Sequence, residues 1–345
     1  MIWLKWCAFG LLGFTILAVL VLTIGSLMSL DWKKQHTAAS DNLRSLNEVR
    51  TTPGGLALIP VGDMRFRARV ANLSSQGEGI IMLHGFPQTS VSWKPLIDAA
   101  AARDYRAIAF DQRGYSPGAR PGGIDAYTIN QLVSDVIGVA DAAGFDRFHL
   151  VGHDWGSAVG WSVVMAHPER ILTWSSLSIA HPFAFVQAVQ SDPDQKKRSR
   201  YFLLFRTPWL PELLLSFNNL QRLRSIAYQS APPDHVDEYL SVFAEPGALT
   251  GALNWYRAMG RGSSPPADPN IETPVLFIWG NRDPAAGRKA VELQEQYIRG
   301  VYRKIELDAG HWLLETHTDD VVNAVMEHIA TVSDPAAGSF LSSQN

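Results

Sequence analysis

The stretch "VGHDWGSAVGW", Val151–Trp161, decides how the chain is read. The strand-to-helix turn that presents a nucleophile is written G-x-S-x-G. Here it is Gly152-His153-Asp154-Trp155-Gly156, so a carboxylate stands where a serine hydroxyl would be. "RFHLVG" before it is a short apolar run, as in a buried strand, and "WGSAVGWSVVMAHP" after it reads as a helix. The glycines on both sides permit a strained turn and close packing of helix on sheet. An aspartate at this place could simply cap the helix, but a cap needs no flanking glycines. Asp154 is therefore the candidate nucleophile.

Outward from this turn the chain alternates as an α/β protein does. "MRFRARVAN" (Met64–Asn72) has period two and suits a half-exposed strand near one edge, while "GIIMLHG" (Gly79–Gly85) and "YRAIAFD" (Tyr105–Asp111) suit buried strands. Ser92–Arg103 reads as a helix between them, and Tyr127–Gly144 as an amphipathic helix stopped by glycine. "RILTWSSLSIA" is the next strand. From about His181 to Pro269 the strand rhythm disappears, leaving helical segments, prolines and aromatics, too long for a plain loop. "PVLFIWGNRD" (Pro274–Asp283) restores it, followed by helix, strand (Tyr302–Asp308) and helix (Thr318–Ala330). The expectation is a mostly parallel sheet with helices on both faces and a helical insertion after the sixth strand. The core spans 54–180 and 270–332, the insertion 181–269, and a flexible tail 333–345.

Composition restricts the function classes. The 345 residues carry a net charge of −3, with no basic stripe to attract nucleic acid. The single cysteine, Cys7, excludes an internal disulfide framework and multi-cysteine metal sites. Cys7–Leu30 is uncharged and would span roughly 36 Å as a helix. Trp3, Trp6 and Lys5 precede it and "DWKK" follows, as anchors at two interfaces would. Residues 1–34 are thus expected to be a single-pass membrane anchor joined to the core by a linker, 35–53. The alternative is a cleaved signal peptide and secretion, but the apolar run is long for one and no A-x-A-like site follows it.

In open α/β sheets ligands bind outside the carboxyl ends of the strands, and the chemistry-bearing residues fall there. His311, in "DAGHW", follows a strand late in the chain and is the candidate base; His317, at the start of the last helix, is its rival. Asp283, closing a strand in "GNRDP", is the candidate partner of the His311 ring, although Asp-Pro also makes turns. Asp308 lies inside its strand, where reach around the ring is doubtful. The backbone N–H groups of Phe86, in "HGFP", and Trp155 would form an oxyanion hole. His84 and His153 shape the motifs that contain them, and His149 and His167 read as ordinary surface or partly buried residues.

The span from about Gly54 to Ala330 resembles the aspartate-nucleophile branch of the α/β-hydrolase fold, and within it the epoxide hydrolases. "HGFPQT", "DQRGYSPGARP", "GHDWG", "NWYRA", "GNRD" and "GHW" carry the resemblance. It implies that the insertion is a cap over the active site, and that two cap tyrosines donate hydrogen bonds to an epoxide oxygen. Tyr256 in "NWYRA" matches one and Tyr201 in "SRYFLLF" the other, with Tyr228 and Tyr239 as alternatives. It also implies no cofactor and no metal, a small apolar epoxide and water as partners, and substrate selection by cap packing around Phe183, Phe202, Phe205, Trp209 and Trp255.

The residue type at 154 has its own logic. An alkoxide attacking a saturated carbon would leave an ether that acyl chemistry cannot cleave; a carboxylate leaves an ester that it can. The substrates that fit are epoxides and alkyl halides. An epoxide needs a proton donor for its oxygen, as a phenol provides. Haloalkane dehalogenases, which the chain also resembles, hold halide with the Trp after the nucleophile and a second Trp or an Asn. Phe86 stands at that Asn position, leaving Trp209 or Trp255 as the second donor.

Overall fold

The computed structural model describes residues 13, 15–24, 46–262 and 268–333. Among the described residues eight strands form one sheet in the order β1-β2-β4-β3-β5-β6-β7-β8. They are β1 (Gly55–Val61), β2 (Met64–Ala71), β3 (Gly79–Leu83), β4 (Arg106–Phe110), β5 (Phe148–His153), β6 (Ile171–Leu177), β7 (Val275–Gly280) and β8 (Tyr302–Leu307). β1 pairs with β2, and β2 with β4, in antiparallel register; the remaining pairs are parallel. The edge strand β1 was not separately foreseen. Its "GLALIPV" lacks clean alternation and carries a proline, which an edge strand tolerates. It places Met64–Ala71 one strand in from the edge.

Side chains on successive residues of a strand point to opposite faces, so a central strand must be apolar throughout. On β3, Ile81 and Leu83 enter the core on one face, Ile80 and Met82 the core on the other. Ile108 and Phe110 of β4 separate in the same way from Ala107 and Ala109. The fully buried Ile, Leu, Met and Phe side chains among these each contribute about 1.5–3 kcal/mol. Helices α1 (Lys94–Ala101) and α12 (Thr318–Ser333) cover one face, and α2 (Ile129–Ala142) and α3 (Trp155–Ala166) the other.

Between β6 and β7 the chain forms α4 (Pro182–Ser191), α5 (Pro193–Arg198), α6 (Tyr201–Phe205), α7 (Leu210–Ala227), α8 (Pro233–Ala244) and α9 (Ala248–Ala258). α7 is broken: Asn218, Asn219 and Leu220 take left-handed φ of 49, 57 and 62°. Ion pairs tie these helices to the sheet. Glu238 of α8 meets Arg67 at 3.1 Å and also pairs with Arg69, while Arg67 holds the buried Asp111 at 2.6 Å. Trp255 of α9 donates its indole N–H to the carbonyl of Arg113 at 2.9 Å. Short helices α10 (Arg288–Leu293) and α11 (Leu313–Thr316) complete the second core segment.

The membrane anchor expected over residues 7–30 is corrected. Among the described residues no helix is long and apolar enough to cross a membrane. Of that stretch, residues 13 and 15–24 are described, and they are helical; the rest, with most of the expected linker and the tail after Ser333, lies outside the described residues. The single-pass location and the membrane contact through 7–30 are therefore not supported.

Candidate active site

Asp154 stands at the carboxyl end of β5 with φ 53° and ψ −120°, a backbone strain that a non-glycine residue holds only where its surroundings enforce it. The close packing explains the glycines. A Cβ on Gly156 would come within 1.9 Å of the Leu83 carbonyl oxygen, and one on Gly85 within 2.4 Å of the Asp154 Cβ. The turn therefore presses the nucleophile candidate against the loop after β3. There the backbone N–H of Phe86 donates to Asp154 Oδ1 at 2.9 Å, and the Trp155 N–H also reaches this carboxylate.

The second oxygen faces His311. Its Oδ2 lies 3.4 Å from His311 Nε2, while His311 Nδ1 lies 2.7 Å from Asp283 Oδ2. Asp283 is fully buried, and its Oδ1 accepts from the N–H groups of Ala285 and Ala286 at 2.7 and 3.0 Å. The guanidinium of Arg198, on α5, donates to the Asp283 carbonyl. Burial alone would make Asp154 harder to ionise, but the hydrogen bond and charge of His311 more than offset it and leave its pKa below the ordinary value. Burial likewise opposes charge on His311, and the two carboxylates overcome it, raising the imidazole to about 10.

A cavity of about 390 Å³ opens over these groups, lined by Asp154, His311, Phe86, Tyr201 and Tyr256. Leu204, Phe205, Leu215, Ile226 and Trp312 give it apolar walls, with Arg222 in its lining. The phenols of Tyr201 and Tyr256 hydrogen-bond each other, and Trp155 supports Tyr256. Burial first, then nearby negative charge including Asp154, holds both well above the ordinary phenol value, so each keeps its proton. A buried carboxylate, an imidazole between two carboxyl groups and two proton-bearing phenols thus share one cavity.

Other residues singled out from the sequence lie elsewhere. Phe183 and Trp255 line a separate cavity of about 810 Å³, on the side of Trp155. Phe202 packs its ring 5.6 Å from that of Tyr256, behind the wall. Trp209 is 59% exposed. His317 bonds its neighbour Thr316, and Asp308 pairs at the surface with Arg282 at 3.2 Å. Tyr228 donates to the Pro87 carbonyl at 2.6 Å, and Tyr239 faces Glu315. His84 is buried between Gly85 and Gln112. Sequence reasoning passed over Trp312, Pro284 and Ala285, although each directly follows or lies within two residues of a residue it chose. Leu214, Leu215 and Ile226 carried no signal beyond being apolar.

The family described as alpha/beta hydrolase fold matches residues 79–318. The chain is 32% identical over 308 residues to Epoxide hydrolase A of Mycobacterium tuberculosis, spanning 76% of this chain and 94% of that protein. It is 34% identical over 263 residues to AB hydrolase superfamily protein YfhM of Bacillus subtilis, spanning 73% and 90%. The solved structure of a Bacillus megaterium epoxide hydrolase with an inhibitor superposes with a TM-score of 0.72 at 26% identity, covering 79% of this chain and 99% of that one.

Proposed function

The chain belongs to the α/β-hydrolase fold family and to its epoxide-hydrolase branch, and from that premise we propose that it hydrolyses an epoxide to a vicinal diol through a covalent ester at Asp154. The observation that carries this reading is the division of labour at the Asp154 carboxylate. Oδ1 rests on the Phe86 N–H at 2.9 Å, while Oδ2 faces His311 and the cavity that holds both tyrosines.

In the first step Oδ2 attacks a ring carbon of the epoxide. The carbon–oxygen bond breaks, and the departing oxygen takes a proton from the Tyr201–Tyr256 pair. In the second step water attacks Cγ of the ester, giving its proton to His311. The oxyanion gathers on Oδ1, where the N–H groups of Phe86 and Trp155 already point. Collapse breaks the Cγ–Oδ2 bond as His311 gives its proton to the departing diol oxygen, and the carboxyl left on Asp154, carrying one oxygen from water, passes its proton back to the imidazole. The phenolate of the first step is reprotonated by the proton that His311 sheds on esterification. Asp283 fixes the tautomer of His311 and stabilises the imidazolium.

The charge state of His311 supports this order of events. In the resting site two carboxylates keep it protonated. Esterification neutralises Asp154 and removes one of them, so the imidazole pKa falls and the ring becomes a base only when there is an ester to hydrolyse.

The halide reading is less favoured. Neither tryptophan named as the second halide donor stands at the cavity: the Trp255 indole is committed to the Arg113 carbonyl, and Trp209 is 59% exposed. A purely binding role would have no use for His311 poised over Asp154. The test is His311→Gln. Mass spectrometry after exposure to an epoxide should find the adduct on the Asp154 peptide, with turnover lost by about 10³-fold or more. An unmodified peptide in a variant that still turns over would refute the mechanism.

A further inference from the structure

Behind His311 lies a buried polar chain that the two chemical steps do not use. His153, the last residue of β5 and fully buried, places Nε2 2.9 Å from the backbone carbonyl of His311 and Nδ1 3.1 Å from Oε1 of Gln88. As placed, Nε2 of that amide donates to Oε1 of Glu315, on α11 one turn beyond His311. Glu315 as a residue is half-exposed, yet its Oε2 is buried without a hydrogen-bond partner.

A proton count fixes the state of this chain. A carbonyl only accepts, so His153 Nε2 must carry hydrogen. His153 is neutral near pH 7, since burial and then the charge of His311 push it down to about 4. Its Nδ1 is therefore bare and needs a donor, which the NH2 of Gln88 supplies after a half-turn of the amide. The Gln88 carbonyl then faces Glu315. Two acceptors cannot bond, so Glu315 must be a protonated carboxylic acid. Burial pushes it to about 7, consistent with that count.

We propose that Glu315 is a positioning residue for the hydrolytic step, acting through Gln88 and His153 on the backbone of His311, and that its ionisation switches the relay. When Glu315 loses its proton, Gln88 turns its NH2 to the carboxylate and its oxygen to His153 Nδ1. The imidazole must then move its hydrogen to Nδ1 or take up a second proton. In the first case the His311 carbonyl loses its histidine donor and keeps only the Ser178 hydroxyl at 3.3 Å. In the second a charged ring sits beside the His311 base. Either change disturbs the residue that must activate water.

The titratable groups facing Glu315 are His311 after β8, Tyr239 on α8 and Tyr228 after α7. Both phenols are pushed up by burial and stay neutral. Glu238, which faces Tyr239, is held by Arg67 and Arg69. Glu315 is thus the group of this cluster expected to change charge near neutral pH.

The catalytic part rests on the proposed ester mechanism; the relay itself can be read without substrate. In the wild-type protein labelled with ¹⁵N-histidine, the His153 ring shifts should move from the Nε2–H tautomer as pH crosses 7, together with loss of the infrared band of a protonated carboxyl. Glu315→Gln keeps a donor toward Gln88 and cannot ionise. It should lack that band, hold His153 in the Nε2–H form, and lack the falling alkaline limb of ester hydrolysis expected of the wild type. A His153 tautomer constant across neutral pH in the wild type would overturn the relay. An identical falling limb in both proteins would overturn its catalytic role.

Discussion

Nε2 of His311 lies 3.4 Å from Oδ2 of Asp154, within ion-pair range and longer than a charge-assisted hydrogen bond. On the other side of the ring the contact with Asp283 is 2.7 Å. The imidazole is thus held firmly from behind and more loosely toward the nucleophile. The predictions below follow from that asymmetry and from the groups around it.

Replacing Asp283 with Asn removes the charge behind His311 and presents the ring with an amide that can favour the wrong tautomer. Ester hydrolysis should fall by about 10⁴-fold, whereas formation of the ester, which needs only an ionised Asp154, should fall far less. Quenched-flow analysis separating the two phases checks this. Equal losses in both would mean that Asp283 acts mainly on the fold.

Tyr201→Phe and Tyr256→Phe remove the two phenols that share one hydrogen bond. Each variant should slow ester formation, and the double variant should slow it by about 10²-fold, with hydrolysis of a preformed ester unchanged. The losses should not add, because each phenol positions the other. Unaltered burst kinetics in the double variant would remove the tyrosines from the mechanism.

The pH dependence has a defined sign. In the ester state His311 is relieved of one carboxylate, so its pKa falls from about 10 and a neutral ring appears as pH rises. Hydrolysis should therefore climb with pH in the wild type and in Glu315→Gln alike. The later fall near 7 belongs to Glu315 and to the wild type alone. Ester formation should stay flat into the acid range, since the Asp154 pKa lies below its ordinary value. Single-turnover rates against pH check both; a hydrolytic rate that declines throughout would contradict the role given to His311.

Away from the chemistry, Arg113 and Asp135 form a buried two-point ion pair at 2.7 and 2.6 Å, and the same Arg113 carries the carbonyl that receives Trp255. Asp135→Ala would leave a buried guanidinium without its partner and should cost about 3–5 kcal/mol. Denaturant unfolding measures this, and a loss below about 1 kcal/mol would show that the pair behaves as a solvated one.

The parts of this molecule that local chemistry dictates were legible in the sequence. A turn that needs Gly152 and Gly156 around an aspartate announces itself, and so do apolar runs too short for helices. The chain order of Asp154, Asp283 and His311 followed from strand ends. The cavity wall was not legible. Whether Leu215 or Trp209 faces the substrate depends on how α7 breaks at Asn218 and Asn219, and no periodicity encodes that break. Aromatic residues such as Phe183 and Trp255 drew the eye, yet they face a neighbouring cavity. The Glu315–Gln88–His153 chain joins three segments distant in sequence, so only their folding together reveals it. At the N-terminus hydropathy suggested an anchor, and among the described residues no helix bears it out.

One measurement addresses the covalent step most directly. A single turnover in ¹⁸O-water, followed by proteolysis and mass spectrometry, should place the label in the carboxylate of Asp154 and leave the first diol released unlabelled. Label found directly in that diol, with none in the Asp154 peptide, would mean that water attacks the epoxide itself and that no ester forms.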